Sequence, residues 1–170
     1  MPYAPSVPAE LDPLKALYRR PGFMIRRAHQ IATSLFLEAS AYLGATTTQY
    51  GVLTVLQCQP GIDQITLARR LGLDRSTAGS VVSTLERSGA ISRVVGPDRR
   101  RRSLELTEAG RNRLTALHDC AGVAVRHLLD PLTDAEGLVL CELLEKLTRA
   151  HNAASRAPLT DDVGPVSADR

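Results

Sequence analysis

Residues 63–89, DQITLARRLGLDRSTAGSVVSTLERSG, contain two helical patterns separated by a glycine. The first half of this stretch places apolar residues at helical spacing, and these form the predicted inward face of a short helix: Ile65, Leu67, Ala68 and Leu71. Gly72 is typical of a helix end, and Asp74 predicts the N-cap of a second helix. The predicted inward face of that second helix is Ala78, Val81, Val82 and Leu85. Two helices joined by a turn of about three residues form a helix-turn-helix.

The side chains on the outer face of the second helix are short, rich in hydrogen-bond donors and flanked by arginines. The residues predicted to lie on it are Arg75, Ser76, Thr77, Gly79, Ser80, Ser83, Thr84 and Arg87. An ordinary solvated face is the alternative, but it would carry Glu and Lys, which favour helix more than Ser, Thr and Gly do. Small side chains let a helix approach DNA closely, so that hydroxyls reach phosphates or base edges in the major groove. We therefore expect this face to bind DNA.

After Gly89 the apolar pattern changes from helical to alternating. Residues 91–95 and 103–106 are predicted strands, and the segment GPDRRRRS at residues 96–103 joins them. A hairpin that directly follows a helix-turn-helix is a wing. The candidate DNA-contacting residues at its tip and on its returning strand are Asp98, Arg99, Arg100, Arg101 and Arg102.

Three further helices are predicted around this module. A long one occupies residues 23–43, a second long one follows the cap Thr107, and a last one follows a capping box formed by Thr133 and Glu136. A second capping box, Thr46 with Gln49, begins a shorter helix that Pro60 and Gly61 end. The flanking helices have more apolar surface than a winged module of this size can cover, which favours self-association.

Length and composition fit one globular domain of ordinary size, or a small module with an extension, and the charge is uneven along the chain. The chain has 170 residues and a net charge of +3, but residues 62–113 hold 11 arginines against six acidic residues. A basic middle segment is typical of a surface that meets polyphosphate. No apolar run approaches the roughly 20 residues that cross a bilayer, and no signal peptide is evident, so we expect a cytoplasmic location and no membrane partner.

These patterns predict a mainly α fold with a small β-hairpin, organised in five parts. Residues 1–20 are expected to be flexible, residues 21–45 to form an N-terminal dimerisation helix, and residues 46–106 to form the winged helix-turn-helix. Residues 107–152 are expected to form C-terminal dimerisation helices. The tail at residues 153–170 is small, polar and Pro-containing, so we expect disorder and no role.

In order along residues 21–151, the motifs resemble those of the MarR (multiple antibiotic resistance) family of bacterial transcription regulators. The matching motifs are Thr46-x-x-Gln49-Tyr50-x-Val52-Leu53, Leu67-Ala68-x-x-Leu71-Gly72-Leu73-Asp74-Arg75-Ser76-Thr77, Leu85-Glu86-Arg87-x-Gly89, Asp98-x-Arg100 and Leu106-Thr107-x-x-Gly110. The resemblance implies a homodimer that binds a double-stranded DNA operator, with a recognition helix in the major groove and a wing arginine in the minor groove. It also implies a small-molecule effector that releases DNA, and no enzymatic activity.

Within that resemblance, the wing arginines are not equivalent. Arg100 holds the family's wing position and is expected to enter the minor groove, since narrow A·T-rich grooves concentrate negative potential. Asp98 is expected to brace the wing, because phosphates would repel a carboxylate. Alternate residues of a strand face opposite sides, so Arg99, Arg101 and Arg102 are expected to divide between phosphate contacts and structural support.

The stretch Arg26-Arg27-x-His29-Gln30 looks similar to that of family members that regulate aromatic-acid catabolism. Arg26, Arg27 and His29 are therefore candidate ligands for an aromatic carboxylate, for example a hydroxylated benzoate or nicotinate. The alternative is that these residues bond to the partner subunit or face solvent. No cofactor is expected.

Three alternative functions are a redox sensor that uses cysteine, a metal sensor and an enzyme. The three cysteines, Cys58, Cys120 and Cys141, lack disulfide or zinc spacing and are expected to be buried free thiols. A redox-sensing repressor would switch through Cys58, which has no obvious activating base nearby in the sequence. A metal sensor would draw on His118, Asp119, Cys120, His127 and His151, but helical spacing separates His118 from His127. No catalytic constellation is apparent.

Overall fold

A computed structural model describes residues 12–95 and 102–160. The elements are α1 (Pro13–Tyr18), α2 (Pro21–Ala39), α3 (Thr47–Cys58), β1 (Ile62–Asp63), α4 (Gln64–Leu71), α5 (Arg75–Arg87), β2 (Ile91–Val95), β3 (Arg102–Leu106), α6 (Glu108–Leu129) and α7 (Asp134–Ala150), with 3₁₀ turns at Ala41–Leu43 and Asn152–Ala154. This mainly helical architecture with a small sheet confirms the predicted fold class. None of the helices in these ranges combines the length and the apolar character that a bilayer crossing requires.

The predicted helix-turn-helix is α4 and α5. Asp63 caps α4 by accepting hydrogen bonds from the backbone N–H groups of Ile65 (2.8 Å) and Thr66 (3.0 Å). Gly72 ends α4 in the left-handed conformation, with a φ of 60°. That conformation disfavours any residue with a β-carbon, which explains the glycine. The turn then leads directly into the cap of α5.

The inward faces of these two helices are mostly as predicted, with one error. Leu67, Ala78 and Val82 are fully or almost fully buried. Ile65, however, was expected to face inward and is 49% exposed. At 3.6 residues per turn it lies more than a quarter turn from the direction that the buried residues of α4 share, so the prediction was wrong.

The sheet is antiparallel and has one strand more than predicted. β2 and β3 form the expected hairpin, with Ile91 opposite Leu106 and Val95 opposite Arg102. β1 pairs with the other edge of β3, giving the order β1-β3-β2. A two-residue strand has too few positions for an alternating pattern, so the sequence could not indicate β1. The sheet closes one side of the core, which also contains the following fully or nearly fully buried residues: Val52, Leu53, Leu56, Leu85, Leu104 and Leu117.

Helix α6 begins directly against the end of α5. The hydroxyl of Thr107 caps α6 by accepting from the N–H of Gly110 (3.0 Å), and it lies 2.6 Å from the carbonyl oxygen of Gly89 and 3.1 Å from that of Ala90. Further along, the Arg113 guanidinium donates to the carbonyl oxygen of Leu43 (2.8 Å). Helix α6 is therefore fixed both to the winged module and to the 3₁₀ turn that follows α2.

Helices α1, α2 and α7 leave apolar side chains exposed in the single chain. The exposed apolar residues on them include Leu14, Leu17, Tyr18, Met24, Ile25, Ile31, Leu138, Val139, Leu140, Leu143, Leu144 and Leu147. A shallow, open groove on α7 and the turn before it is lined by Leu132, Ala135, Glu136, Val139, Leu140 and Leu143. Unpaired apolar surface of this extent is characteristic of an interaction site, which agrees with the expected self-association.

Two terminal segments differ from expectation. Helix α1 lies inside residues 1–20, a segment assigned as flexible although the spacing of Leu14, Leu17 and Tyr18 also favours a short amphipathic lead-in. Disorder was also predicted from residue 153 onward, but the chain forms a 3₁₀ turn at Asn152–Ala154 followed by a loop. Hydrogen bonds between the Asn152 side chain and the backbone of Leu159 close this loop. A composition that is poor in large apolar residues cannot reveal a loop stabilised by one side chain. Residues 161–170 lie outside the described part.

Candidate nucleic-acid interface

The N-terminus of α5 is built around the Asp74 carboxylate. One oxygen accepts from the Ser76 hydroxyl (2.7 Å) and the backbone N–H of Thr77 (2.8 Å), and the other accepts from the Thr77 hydroxyl (2.7 Å). These hydrogen bonds, that of the Ser76 hydroxyl first, hold the pKa of Asp74 well below its usual range. The hydroxyls of Ser76 and Thr77 thus belong to the helix cap as well as to the outer face.

The predicted outer face of α5 is largely exposed. Six of its residues are exposed, Arg75, Ser76, Thr77, Ser80, Ser83 and Arg87, whereas Gly79 and Thr84 are half-buried. Thr84 donates its hydroxyl to the carbonyl oxygen of Ser80 (3.0 Å) and accepts from Arg87 (3.3 Å). Within the described residues, the hydroxyls of Ser80 and Ser83 make no hydrogen bond. Together with the Arg75 and Arg87 side chains, they are the donors best placed to meet an external acceptor.

Gly79 lies on the flank of α5 that faces α4. A β-carbon at this position would be 3.3 Å from Nε2 of Gln64, which is tighter than an ordinary contact. The glycine therefore has a structural reason inside the module: it lets the Gln64 amide approach the recognition helix. A role in close approach to DNA stays a prediction.

Three residues outside the predicted site connect α5 to the wing. Nε of Arg93 on β2 donates to a carboxylate oxygen of Glu86 on α5 at 2.9 Å. The Nη2 atom of Arg93 donates to Oε1 of Gln64 at 3.3 Å. Arg93 thus bridges the recognition helix, the first helix of the pair and the wing strand. The motif Leu85-Glu86-Arg87 contained this signal, since Glu86 is an acidic residue on an otherwise basic and hydroxyl-rich helix.

The wing is described only in part. Arg102 is exposed at the start of β3, opposite Val95. Ser103 donates its hydroxyl to the carbonyl oxygen of Val94 (3.2 Å), which adds a side-chain bond to the ladder. The predicted contacts Asp98, Arg99, Arg100 and Arg101 lie outside the described residues, and their roles stay predictions.

The candidate effector-binding residues are all exposed on the first half of α2. The Arg26 guanidinium lies 4.8 Å from the centre of the Phe23 ring, and Arg27 donates to Oε1 of Gln30 (3.0 Å). Residues three apart on a helix are neighbours, so Arg26 and His29 share a face. Arg27 points about a quarter turn away from Arg26, so the three side chains do not all converge.

A cluster of aromatic side chains outside the predicted site lies between α2, α3 and α6. The Tyr50 hydroxyl and Nδ1 of His118 are 2.8 Å apart, and their rings meet edge to face. Phe36 packs on the other side of Tyr50, with ring centres 5.6 Å apart. From the sequence alone, Tyr50 is identified only within the motif Thr46-x-x-Gln49-Tyr50, and His118 only as a candidate metal ligand. Their separation of 68 residues left no local signal.

The expectation of three buried thiols was wrong for two of them. Cys120 is buried, but Cys58 and Cys141 are exposed. Cys58 is the last residue of α3, where the helix leaves the core, and Cys141 lies on α7, which the single chain does not cover. Exposure makes Cys58 accessible to oxidants; oxidant treatment that left DNA affinity unchanged would exclude the redox-sensing alternative. The described ranges contain no cluster of His, Cys, Asp or Glu suited to a metal ion.

Sequence comparison gives a family match and a curated relative. A model described as MarR family matches residues 45–103. A protein from Thauera aromatica, assigned as a transcriptional regulatory protein for the hcr operon, is 38% identical over 91 residues, which cover 52% of this chain and 55% of that protein. The match therefore spans little more than half the length of this relative.

Two solved structures share the fold over nearly their whole length. The PcaV transcriptional regulator from Streptomyces coelicolor, solved in complex with its natural ligand, is 34% identical, with a TM-score of 0.71, over 84% of this chain and 98% of that one. The transcriptional repressor CouR, bound to a 23-mer DNA duplex, is 28% identical, with a TM-score of 0.76, over 83% of this chain and 100% of that one.

Proposed function

The chain belongs to the MarR family of transcriptional regulators, and on that premise we propose that it binds a pseudo-palindromic DNA operator as a homodimer, represses transcription and releases the operator when a small aromatic acid binds. The observation that carries the proposal is the outer face of α5, which presents arginines and unbonded serine hydroxyls on a capped helix that follows a helix-turn-helix turn. The resemblance to CouR, a repressor solved with DNA, supports the same assignment.

Self-association follows from the apolar surface that the single chain leaves open. The groove on α7 and the exposed residues of α1 and α2 supply the kind of surface that a second copy would bury. A two-fold dimer presents two recognition helices to half-sites about one helical turn of DNA apart, and so matches a palindromic operator.

The wing is proposed to complete each half-site. Arg100 would enter the minor groove, Asp98 would brace the hairpin, and the remaining arginines would contact phosphates. Replacing Arg100 with Ala is expected to weaken operator binding and flatten its salt dependence, because a guanidinium that neutralises a phosphate releases a counterion.

The effector is proposed to be an aromatic carboxylate, such as a hydroxylated benzoate or nicotinate. Arg26 and His29 share one exposed face of α2 and would hold the carboxylate, with Arg27 in a supporting position. The likeness to PcaV, whose structure contains its natural ligand, supports a small-molecule effector.

Release of DNA tests the effector proposal. Candidate acids are titrated against the protein bound to the DNA upstream of its own gene, and fluorescence anisotropy reports dissociation. The Arg26→Ala/His29→Ala double variant should bind DNA but need far more acid for release, whereas Arg126→Ala, which removes an exposed arginine of α6, should respond like the wild type. No release by any acid, together with full inducibility of the double variant in cells, would contradict the proposal.

A further inference from the structure

The C-terminal residues 152–160, here named the C-terminal clasp, form a closed loop. Nδ2 of Asn152 donates to the carbonyl oxygen of Leu159, and the backbone N–H of Leu159 donates to Oδ1 of Asn152, both at 2.8 Å. The N–H of Ala157 donates to the Ser155 hydroxyl within the loop (3.3 Å). One amide side chain therefore holds both ends of the loop together.

The clasp lies against the turn of the helix-turn-helix. A β-carbon on Gly72 would be 3.1 Å from the carbonyl oxygen of Ala157 and 3.4 Å from Cδ2 of Leu159. Gly72 also adopts a φ of 60°, so a side chain there is disfavoured by the backbone and by the clasp together. Asp74, the cap of α5, follows only two residues later. The clasp is thus in contact with the segment that sets where the recognition helix begins.

The other end of α5 is also attached to a helix outside the module. Gly89 and Ala90 contact the Thr107 hydroxyl at the start of α6. Helix α6 then leads away over 22 residues, and α7 leads over 17 residues to the clasp. Helix α5 is consequently connected to α6 at its C-terminal end and, through the clasp, to α7 at its N-terminal end.

We propose that the clasp is a positioning element for operator binding, which holds the helix-turn-helix turn against the end of α7 and so fixes the separation of the two recognition helices in the dimer. The inference rests on the proposed function, since α7 carries the apolar surface that a second copy would cover. The attachment to α6 at Thr107 and the attachment to α7 through the clasp together restrict rotation of α5 relative to the dimer axis. With the α6 attachment alone, α5 could rotate about that point. Asn152 acts through Leu159 and Ala157 on Gly72 and does not touch DNA.

Half-site spacing is the property that the clasp controls. Moving one half-site by one base pair shifts it by about 3.4 Å and rotates it by about a tenth of a turn, so a rigidly spaced dimer binds the altered site poorly. A dimer without the clasp adapts to the altered site. The expected signature is a smaller ratio between the dissociation constants for altered and natural spacing.

The test begins with an operator selected by the wild type from random duplexes. Dissociation constants are then measured by anisotropy for that operator and for versions with one base pair inserted or removed between the half-sites. Asn152→Ala should lower the spacing ratio by roughly fivefold, the factor that about 1 kcal/mol of lost hydrogen bonding gives. Asn112→Ala, which removes an exposed asparagine of α6, should keep the wild-type ratio. Asn152→Asp, which retains the acceptor for Leu159, should lie between.

Leu159→Ser provides a second variant that leaves Asn152 in place and removes the leucine side chain that lies beside Gly72. This variant should also lower the ratio. Unchanged ratios in variants that unfold at the wild-type temperature would overturn the clasp proposal and leave DNA binding intact. An equal loss of affinity at every spacing would overturn it as well, because that result indicates general destabilisation. Failure of the wild type to select any duplex would instead overturn the proposed function.

Discussion

Gly110 and Ala90 are packed so closely that a β-carbon on Gly110 would overlap the carbonyl oxygen of Ala90. This contact lies where α6 leaves the winged module, beside the Thr107 hydroxyl that bonds to Gly89 and Ala90. Backbone atoms cannot move aside as a flexible side chain can. The glycine of the motif Leu106-Thr107-x-x-Gly110 is therefore required by the crossing of two backbones.

Replacing Gly110 with Ala should lower the free energy of unfolding by about 2 kcal/mol or more, since overpacking against fixed atoms is typically this costly. The matched control is Gly122→Ala on the same helix, where a β-carbon would be 3.5 Å from the movable end of Arg126. That change should stabilise α6 by up to about 1 kcal/mol through helix propensity. Urea unfolding of the two variants measures the difference, and equal effects would contradict the packing argument.

The Glu86–Arg93 bridge should show energetic coupling. Single changes Glu86→Gln and Arg93→Met, together with the double variant, form a double-mutant cycle in urea unfolding. Because both side chains are partly exposed, solvent screens the pair and we expect a coupling of only about 0.5 kcal/mol. In the single variants, the loss of free energy of operator binding should exceed this coupling energy, because the bridge orients α5 relative to the wing strand. Glu105→Gln on β3 is the control, because it removes a carboxylate that takes no part in the bridge. A coupling energy of zero in the double-mutant cycle would contradict a stabilising bridge.

The Asp74 cap predicts a pH dependence of stability. Its pKa is lowered in the folded state, so the stabilisation is present above the unfolded pKa of about 3.9 and is lost as the pH falls towards the lower folded pKa. The difference in unfolding free energy between the wild type and Asp74→Ala should be constant from pH 7 to about pH 5 and shrink below about pH 4. A difference that grows on acidification would have the wrong sign.

Salt dependence of DNA binding should identify the arginines that contact phosphates. Arg75→Ala and Arg87→Ala are each expected to reduce the slope of log K against log salt concentration by about 1, as one phosphate contact predicts. Arg149→Ala should leave the slope unchanged, because Arg149 lies on α7 and pairs with Glu145. Slopes that do not distinguish the α5 variants from this control would argue against the interface.

The sequence predicted those parts of the fold whose signals are local. Capping residues such as Thr46, Asp74 and Thr133 mark helix starts through hydrogen bonds within three residues, and each is a cap in the structure. Gly72 likewise marks the end of α4, because the left-handed backbone conformation at that position favours glycine. These elements needed no knowledge of tertiary contacts.

The contacts that could not be predicted from the sequence join residues that are far apart in the chain. The Tyr50–His118 contact, the bonds from Arg93 to Glu86 and Gln64, and the clasp on Gly72 each join segments whose proximity only the folded chain creates. Ile65 was placed inward because an apolar residue at helical spacing was assumed to face the core. Its exposure shows that such a pattern gives the direction of a helix face only approximately.

Sequence-specific binding by α5 is tested by the ratio of two dissociation constants. One is measured for the DNA upstream of the protein's own gene, and the other for a scrambled duplex of the same length at the same salt concentration. We predict at least roughly 10³-fold tighter binding to the former, as specific regulators show. Ser83→Glu, which places a carboxylate on the outer face of α5, should abolish that preference. Equal affinity for both duplexes, or an unchanged ratio in Ser83→Glu, would contradict the claim that this face reads an operator.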